Sequence, residues 1–496
     1  METAAKEYGD KTAFVLNKNR LSFTELNQAS NKLGNALLNL GVEKGDRIAM
    51  LLPNSLEFII IYFGIVKVAA IAVPLDTRYK IDELTSLFDH CQPKVLITEN
   101  TFLEPLIPVL PRFKYIQRII DIGHSYMREV LSYQHLMSAN SSQPINLELM
   151  PEDITHIAYT SGPTSHPRGS MLTQKNMLTE IIISANSFQQ TDKDVVVLFA
   201  LPLHHAFGLV ILALTSVFKG STVVIIPGLS ISTLTKTIEK EKCTMFMGVP
   251  FIFALMVRTA MEEGIKHNLS SVRICCSAGA PIPIIIIKQF KKLYGLNIVQ
   301  LWGLTEATAH VTYQAITSTN KLGSTGKVLP GWKLKIIDNN GKELPPNQSG
   351  EIIVRGPIMK GYYHNPQATA EKIKDDWLYT GDIGKLDEDS NLFILGMKKE
   401  MIITKGQNIY PSDIEEILYT HPKVAEAVVV GIPDELRGET VRAVIKLKDG
   451  ESATEEEVKH FCREFMANYK VPRQIMFVDS LPKTTNGNIN KADFKD

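Results

Sequence analysis

RIAMLLPNSLEFIIIYFGIVKVAAIAVPLD runs from Arg47 to Asp76, and its alternation decides the fold. Residues 47–52 are a short β-rich run, 55–68 have the length and apolar spacing of a helix, and 71–74 are a second β-rich run. Residues 94–97 add a further strand. Strand, helix and strand in this order predict a parallel sheet with helices on its faces. The texture continues through 195–201, 222–226, 244–249 and 272–278. After about Gly323 it changes: 333–338, 350–355 and 392–395 are short strands divided by turn signals such as Asn339-Asn340-Gly341, which predicts an antiparallel segment. Beyond Glu400, helices (413–419, 454–466) mix with strands (424–431, 441–447), the pattern of a separate small domain. The expected class is α/β: a large N-terminal domain of parallel-rich sheets flanked by helices with a β-rich subdomain, then a small α+β C-terminal domain.

The chain has 496 residues, more than one core at roughly 150 residues per domain. With 44% hydrophobic and 21% charged residues it has an ordinary globular composition. Lys plus Arg number 53 and Asp plus Glu number 53, a balance that argues against nucleic acid or an acidic membrane as the main partner. The five cysteines (Cys91, Cys243, Cys275, Cys276, Cys462) are scattered without CxxC spacing, so neither a disulfide framework nor a zinc site is indicated and a reducing cytoplasm is expected. The N-terminus lacks the basic start and apolar run of a secretory signal. The longest apolar stretch, 58–73, is broken by Lys67 and falls short of the about 18 residues of a spanning helix, so no transmembrane segment is expected.

Chemistry gathers in a few loops. YTSGPTSHPRG, from Tyr159 to Gly169, crowds hydroxyls and glycines between the apolar 154–158 and a helix expected near Gln174, and so reads as a strand-to-helix loop. Glycines let main-chain N–H groups approach an anion, hydroxyls add donors, and Arg168 supplies a cation. Alone, the segment reads more readily as a flexible surface turn, and it is not a Walker loop. In QLWGLTEAT (Gln300–Thr308), Thr305 and Glu306 fall after a strand-like 296–299, where a hydroxyl and a carboxylate can hold phosphate and magnesium. In YTGDIG (Tyr379–Gly384), Asp382 stands between glycines; its carboxylate can accept ribose hydroxyls or cap a turn.

Taken in order, YTSGPTSHPRGSMLT, LPLHHAFG, SAGAP, QLWGLTEAT, GEIIVRGPIMKGYY, WLYTGDIG, LGMKKEMIITKGQNIYPSDIEE and LPKTTNGNIN resemble the adenylate-forming superfamily of acyl-CoA synthetases, luciferases and peptide-synthetase adenylation domains. The resemblance runs from about Asp10 to the C-terminus. It implies a two-step reaction: a carboxylate attacks the α-phosphate of MgATP to give an acyl-adenylate and pyrophosphate, then the small domain rotates and a thiol, commonly CoA, displaces AMP. Position by position, it implies that Thr160, Ser161, Gly162, Thr164 and Arg168 surround the phosphates, Thr305 contacts phosphate, and Glu306 binds Mg2+. Gly279, Ala280, Pro281 and Trp302 would enclose adenine, and Asp382 would hold ribose. Lys399 matches the hinge, dividing the chain into 1–396, a hinge at 397–399 and 400–496; Gly406 matches a glycine near the pantetheine tunnel. His205 matches the acyl-pocket histidine, expected as a pocket wall and not as a base, because a carboxylate nucleophile is already ionised at neutral pH.

The sequence departs from the family pattern at named positions. In the loop usually SGTTGxPKG, Pro163 replaces Thr, Ser165 replaces Gly and Arg168 replaces Lys; Pro163 removes a hydroxyl and a main-chain donor, and Arg168 keeps the charge in a planar shape. Met397 stands where an arginine near ribose is usual, and Asn488 where a lysine bridges carboxylate and α-phosphate. Neither side chain can neutralise a phosphate, so acyl-adenylate formation is expected to suffer more than thioester formation. Lys491, three residues on, is the cation positioned in sequence to compensate.

Gly303 matches a position where acetate-specific relatives carry a tryptophan, so room beyond two carbons is expected. Phe207, Met247, Val249 and Phe251 would form apolar walls with no basic residue nearby. A medium- or long-chain fatty acid, or an aryl acid, is the expected substrate, with ATP and CoA as partners. The alternatives are a catalytically silenced nucleotide or acyl-adenylate binding protein, and an adenylating enzyme that uses another acceptor.

Overall fold

The computed structural model describes residues 1–496 except 124–128, 160–166, 317–319, 405–406, 435–437, 467, 469, 484–488 and 496. Among the described residues the strands assemble into four sheets. Across the first, the strands lie in the order Lys327–Val328, Thr312–Tyr313, Ile298–Trp302, Ile274–Ser277, Met245–Gly248, Val195–Phe199, Thr222–Ile226, Thr12–Leu16 and Asn19–Ser22. From Ile298–Trp302 to Thr12–Leu16 every pairing is parallel. The second sheet is built on Arg47–Leu51, with Ile71–Leu75 on one side and Val95–Thr98 on the other, both parallel to it.

The helix Leu56–Lys67 explains how the two sheets share one core. Phe58 through Tyr62, Gly64 and Ile65 are all buried, as expected of a helix apolar on every face and enclosed by other layers. Its start is capped by Ser55 Oγ, which accepts from Phe58 N at 3.1 Å, a contact worth about 1 kcal/mol. Lys67, the charge that interrupts the apolar run, bonds Asn27 Oδ1 at 3.0 Å and pairs with Glu2. Among the described residues no helix is long and apolar enough to cross a membrane.

One expectation from the sequence is corrected here. Residues after Tyr159 do not lead from a strand directly into a helix: Gly169–Thr173 is itself a strand, antiparallel to Ile154–Tyr159. The hydroxyl-rich segment therefore joins two antiparallel strands of the second sheet, with Gly361–Tyr362 paired outside them. Thr173 ends that strand and at once caps the helix Gln174–Ser187, its Oγ1 accepting from Asn176 N at 3.1 Å, which is why strand and cap merge in a linear reading.

The third sheet is antiparallel and contains Lys333–Ile337, Gly350–Arg355, Trp377–Leu386 and Leu392–Met397. A separate apolar core then begins: Ile402, Ile409, Ile414, Leu418, Val429, Ala443, Val458 and Ile475 pack together around the fourth sheet. Between the two units, Lys398–Glu400 forms a single 3₁₀ turn.

Candidate active site

Four neighbouring parallel strands end on one edge of the first sheet, and the loops that leave them carry most of the expected site. Val195–Phe199 leads to His205 and Phe207, Met245–Gly248 to Val249, Ile274–Ser277 to Gly279, Ala280 and Pro281, and Ile298–Trp302 to Gly303, Thr305 and Glu306. The carboxyl edge of a parallel sheet is where α/β folds place ligands. Gly279 takes φ +85°, and a Cβ there would come into van der Waals contact with Val249 Cγ1 at 3.6 Å, so the expected adenine wall and acyl wall are neighbours.

Two neutral donors join this edge to the other sheets. Trp302 is buried, 8% exposed, and its indole N–H donates to Asp382 Oδ2 at 2.8 Å. Tyr362, paired through its strand with Gly169–Thr173, donates its hydroxyl to Glu306 Oε1 at 2.7 Å. The Arg168 guanidinium lies 5.8 Å from the Tyr362 ring centroid, so Arg168, Tyr362 and Glu306 form one group. Among the described residues nothing bonds the second oxygen of Glu306. Thr305 opens the 3₁₀ turn Thr305–Ala307, and the turn ends at Thr308 with φ +64°, a conformation a β-branched residue adopts only when its surroundings impose it. Thr308 Oγ1 donates to Pro357 O at 2.9 Å and Met359 N to Glu306 O at 2.7 Å.

Asp382 sits where the strand Trp377–Leu386 shifts register, just after Gly381 at φ +79°. Lys372 Nζ donates to the carbonyls of Tyr379 and Thr380 at 3.1 and 3.0 Å and so braces the turn. Burial pushes the Asp382 carboxyl up to about 6, against the pull of the Trp302 N–H and the Lys372 charge. Met397 is the direct cross-strand partner of Asp382 and is 42% exposed.

His205 is neutral at physiological pH: burial, reinforced by the neighbouring His204, lowers it to about 4. Its Nδ1 accepts from Phe207 N at 3.3 Å. Phe207 begins a buried π-helix, Phe207–Leu214, a rare form that is frequent at functional sites. His204 instead reaches Asp76 Oδ2 at 3.4 Å, and Arg78 bonds both Asp76 oxygens at 3.0 Å.

Comparison with known proteins assigns the chain to a family. The model of the AMP-binding enzyme family matches residues 1–363, and that of its C-terminal domain matches 413–488. The chain belongs to the AMP-binding enzyme family. Within it, the chain is similar to a long-chain-fatty-acid–CoA ligase of Bacillus subtilis, 33% identical over 98% of this chain and 91% of that protein. One from Escherichia coli O6:H1 is 31% identical over 100% and 93%. Among solved structures, an anthranilate–CoA ligase in complex with anthranoyl-AMP superposes with TM-score 0.93 and 28% identity, covering 99% of this chain and 95% of that one. ATP-bound MatB from Rhodopseudomonas palustris superposes with TM-score 0.91 and 27% identity over 98% and 95%. The chain is thus an adenylate-forming enzyme of the acid–CoA ligase kind.

For this family member the structure revises several expectations drawn from the motifs. Thr160, Ser161, Gly162, Thr164, Gly406 and Asn488 lie outside the described residues. Gly303 does not open space as expected: a Cβ there would overlap Ala309 O and His310 Cα. The missing side chain is filled by main chain, not by a cavity. Lys491 is held by Glu415 at 3.0 Å and Glu400 at 3.4 Å, so its charge is already met. The walls do have a basic neighbour, contrary to expectation: Lys483 Nζ lies 3.7 Å from the Phe251 ring centroid and pairs with Glu426 at 2.8 Å. Lys399 is exposed within the Lys398–Glu400 turn.

Tyr362 and Lys372 do not stand out in the sequence. Tyr362 falls inside the GPIMKGYY block, the one signal that points to it; Lys372 lies in a charged helix end that resembles any other.

Proposed function

We propose that this enzyme activates a medium- or long-chain fatty acid, or an aryl acid, with MgATP, and passes the acyl group to CoA. The observation that carries the reading is the convergence of Glu306, Asp382 and Trp302 with the acyl-wall residues Phe207 and Val249 on one sheet edge. The similarity to long-chain-fatty-acid and anthranilate ligases supports the same range of acids.

In the first step the ionised acid attacks the α-phosphate, forming the acyl–phosphate bond and expelling pyrophosphate. The acid needs no base, and neutral His205 acts as a wall. Asp382 accepts the ribose hydroxyls, Trp302 orients that carboxylate through its N–H, and Gly279, Ala280 and Pro281 flank the base. Arg168 and Thr305 offset charge on the phosphate oxygens together with the segment 160–164, so that catalysis is chiefly positioning and electrostatic stabilisation. Glu306 fits a Mg2+ ligand: Tyr362 bonds one of its oxygens and leaves the other, and Mg2+ is commonly held by one or two carboxylates with phosphate oxygens and water. The bound ion supplies charge neutralisation at the phosphates. In the second step the thiol sulfur attacks the acyl carbon and AMP leaves; Lys399 and the turn around it serve as hinge, and Gly406 as part of the pantetheine path.

Asn488 and Met397 weaken the first step selectively. The test is an acid panel with pyrophosphate detection, comparing wild type with Asn488→Lys both in pyrophosphate release and in thioester formation from synthetic acyl-adenylate. Selective gain in pyrophosphate release supports the reading; no acid-dependent release from either protein, with MgATP bound, replaces it with a nucleotide-binding role.

A further inference from the structure

Behind the Thr305–Ala307 turn lie two titratable side chains that the proposed reaction does not use. Glu180 projects from the helix Gln174–Ser187 and His310 follows the turn; both side chains are 0% exposed. Glu180 Oε1 accepts the His310 main-chain N–H at 3.1 Å and also bonds Nδ1. The Phe188 ring stacks on the imidazole at 5.6 Å with 14° between planes. Ser184 Oγ reaches Oε1 at 3.5 Å, while Glu180 Oε2 and His310 Nε2 have no partner among the described residues.

Stability alone does not account for this pair. Apolar residues of similar volume stabilise a core as well as a buried ionic pair or better, and two unpartnered buried polar atoms add a desolvation cost. The arrangement does fix position. One carboxylate oxygen holds both the main chain and the ring of His310, directly after the Ala309 carbonyl that packs on the bare Cα of Gly303 and two residues after Thr308 at φ +64°. The helix that carries Glu180 continues from the strand Gly169–Thr173, which begins beside Arg168, and its Asn176 Nδ2 donates to Ile358 O at 3.0 Å. We infer that Glu180 and His310 are a positioning pair that sets the Thr305–Glu306 turn at a fixed distance from the Arg168 side of the site. This rests on the ligase reading above, with Glu306 as its metal-binding carboxylate.

The decisive protein is the double variant Glu180→Met with His310→Leu, which removes the pin without leaving an unpaired charge. Its Tm is expected to stay within a few degrees of wild type and its acid KM to stay unchanged. Calorimetric ATP affinity should fall about tenfold in the presence of Mg2+ and hold in its absence, and kcat for pyrophosphate release should fall about 10- to 100-fold, the scale of an ångström misplacement. Glu180→Gln, whose amide oxygen still accepts both N–H groups, should return both readouts to within about threefold of wild type. A folded double variant with wild-type MgATP affinity and kcat overturns the inference, as does Glu180→Gln impaired to the same extent as the double variant. Should the double variant not fold, Glu180→Asp decides: reduced kcat at unchanged Tm supports the pair, and wild-type kcat overturns it. A wild type silent with every acid removes the ligase reading only, because the MgATP calorimetry still reads the pair.

Discussion

Two carboxylates of the large domain and two cations of the small one are treated in opposite ways. Glu306 and Asp382 are held by neutral donors, the Tyr362 hydroxyl and the Trp302 indole, and among the described residues no cation bonds either of them. Lys491 is enclosed by Glu400 and Glu415, and Lys483 is paired with Glu426. A charge steadied by a dipole keeps most of its field for an incoming ligand, whereas one closed by its opposite has little left to offer. The large domain also holds a closed group of the second kind, Asp76 with Arg78 and His204, where the carboxylate is held well below its usual range by those hydrogen bonds despite burial. Availability therefore follows the type of partner and not burial or domain.

The largest effect that this contrast requires is at Glu306. Glu306→Gln keeps the shape and the Tyr362 contact but loses the charge, and acid-dependent pyrophosphate release should fall about 10²- to 10³-fold at unchanged Tm. A drop below tenfold breaks the contrast at its open end. Next is Asn488→Lys, which restores an uncommitted cation; pyrophosphate release should rise about tenfold or more, with thioester formation from synthetic acyl-adenylate within about twofold. Equal changes in the two half-reactions would sink the selective role.

The titration of Asp382 sharpens the comparison. Its folded-state value of about 6 lies above the ordinary 3.8, so between these values the folded protein holds more protons than the unfolded one, and stability contributed by this group is lost as pH rises from about 4 to about 6. In the proposed role of Asp382 ribose binding needs the ionised form, so ATP affinity should weaken as pH falls through about 6. Asp382→Asn should remove that step, and Trp302→Phe, by deleting a donor that stabilises the carboxylate, should move it to higher pH. Calorimetry across pH 5 to about 8 reads all three proteins. The smallest effect belongs to Lys491: Lys491→Met should leave pyrophosphate release within about twofold of wild type and lower Tm by a few degrees, because two carboxylates lose their shared partner. A tenfold loss of release would show that its charge is not closed after all.

The alternating sheet was legible because a strand between helices announces itself by length and period, as at Arg47–Leu51 and Leu56–Lys67. Gly169–Thr173 was not, since five residues that end in a helix cap carry no pattern separate from the loop before them. The π-helix Phe207–Leu214 is apolar all round, which leaves no periodicity to distinguish its pitch. Trp302, Asp382 and Glu306 could each be named from motifs, but the bonds they make, Trp302 with Asp382 and Glu306 with Tyr362, join sheets that are remote along the chain. Gly303 marks a different limit: a bare Cα looks the same in sequence whether a ligand or another stretch of backbone occupies the space beside it.

That bare Cα also constrains how such an enzyme can evolve. With Ala309 O and His310 Cα packed directly against Gly303, no single replacement can place a side chain there. The path of 309–310 must be rerouted first, so any descendant carrying a side chain at this position would have to arise through intermediates with an altered loop.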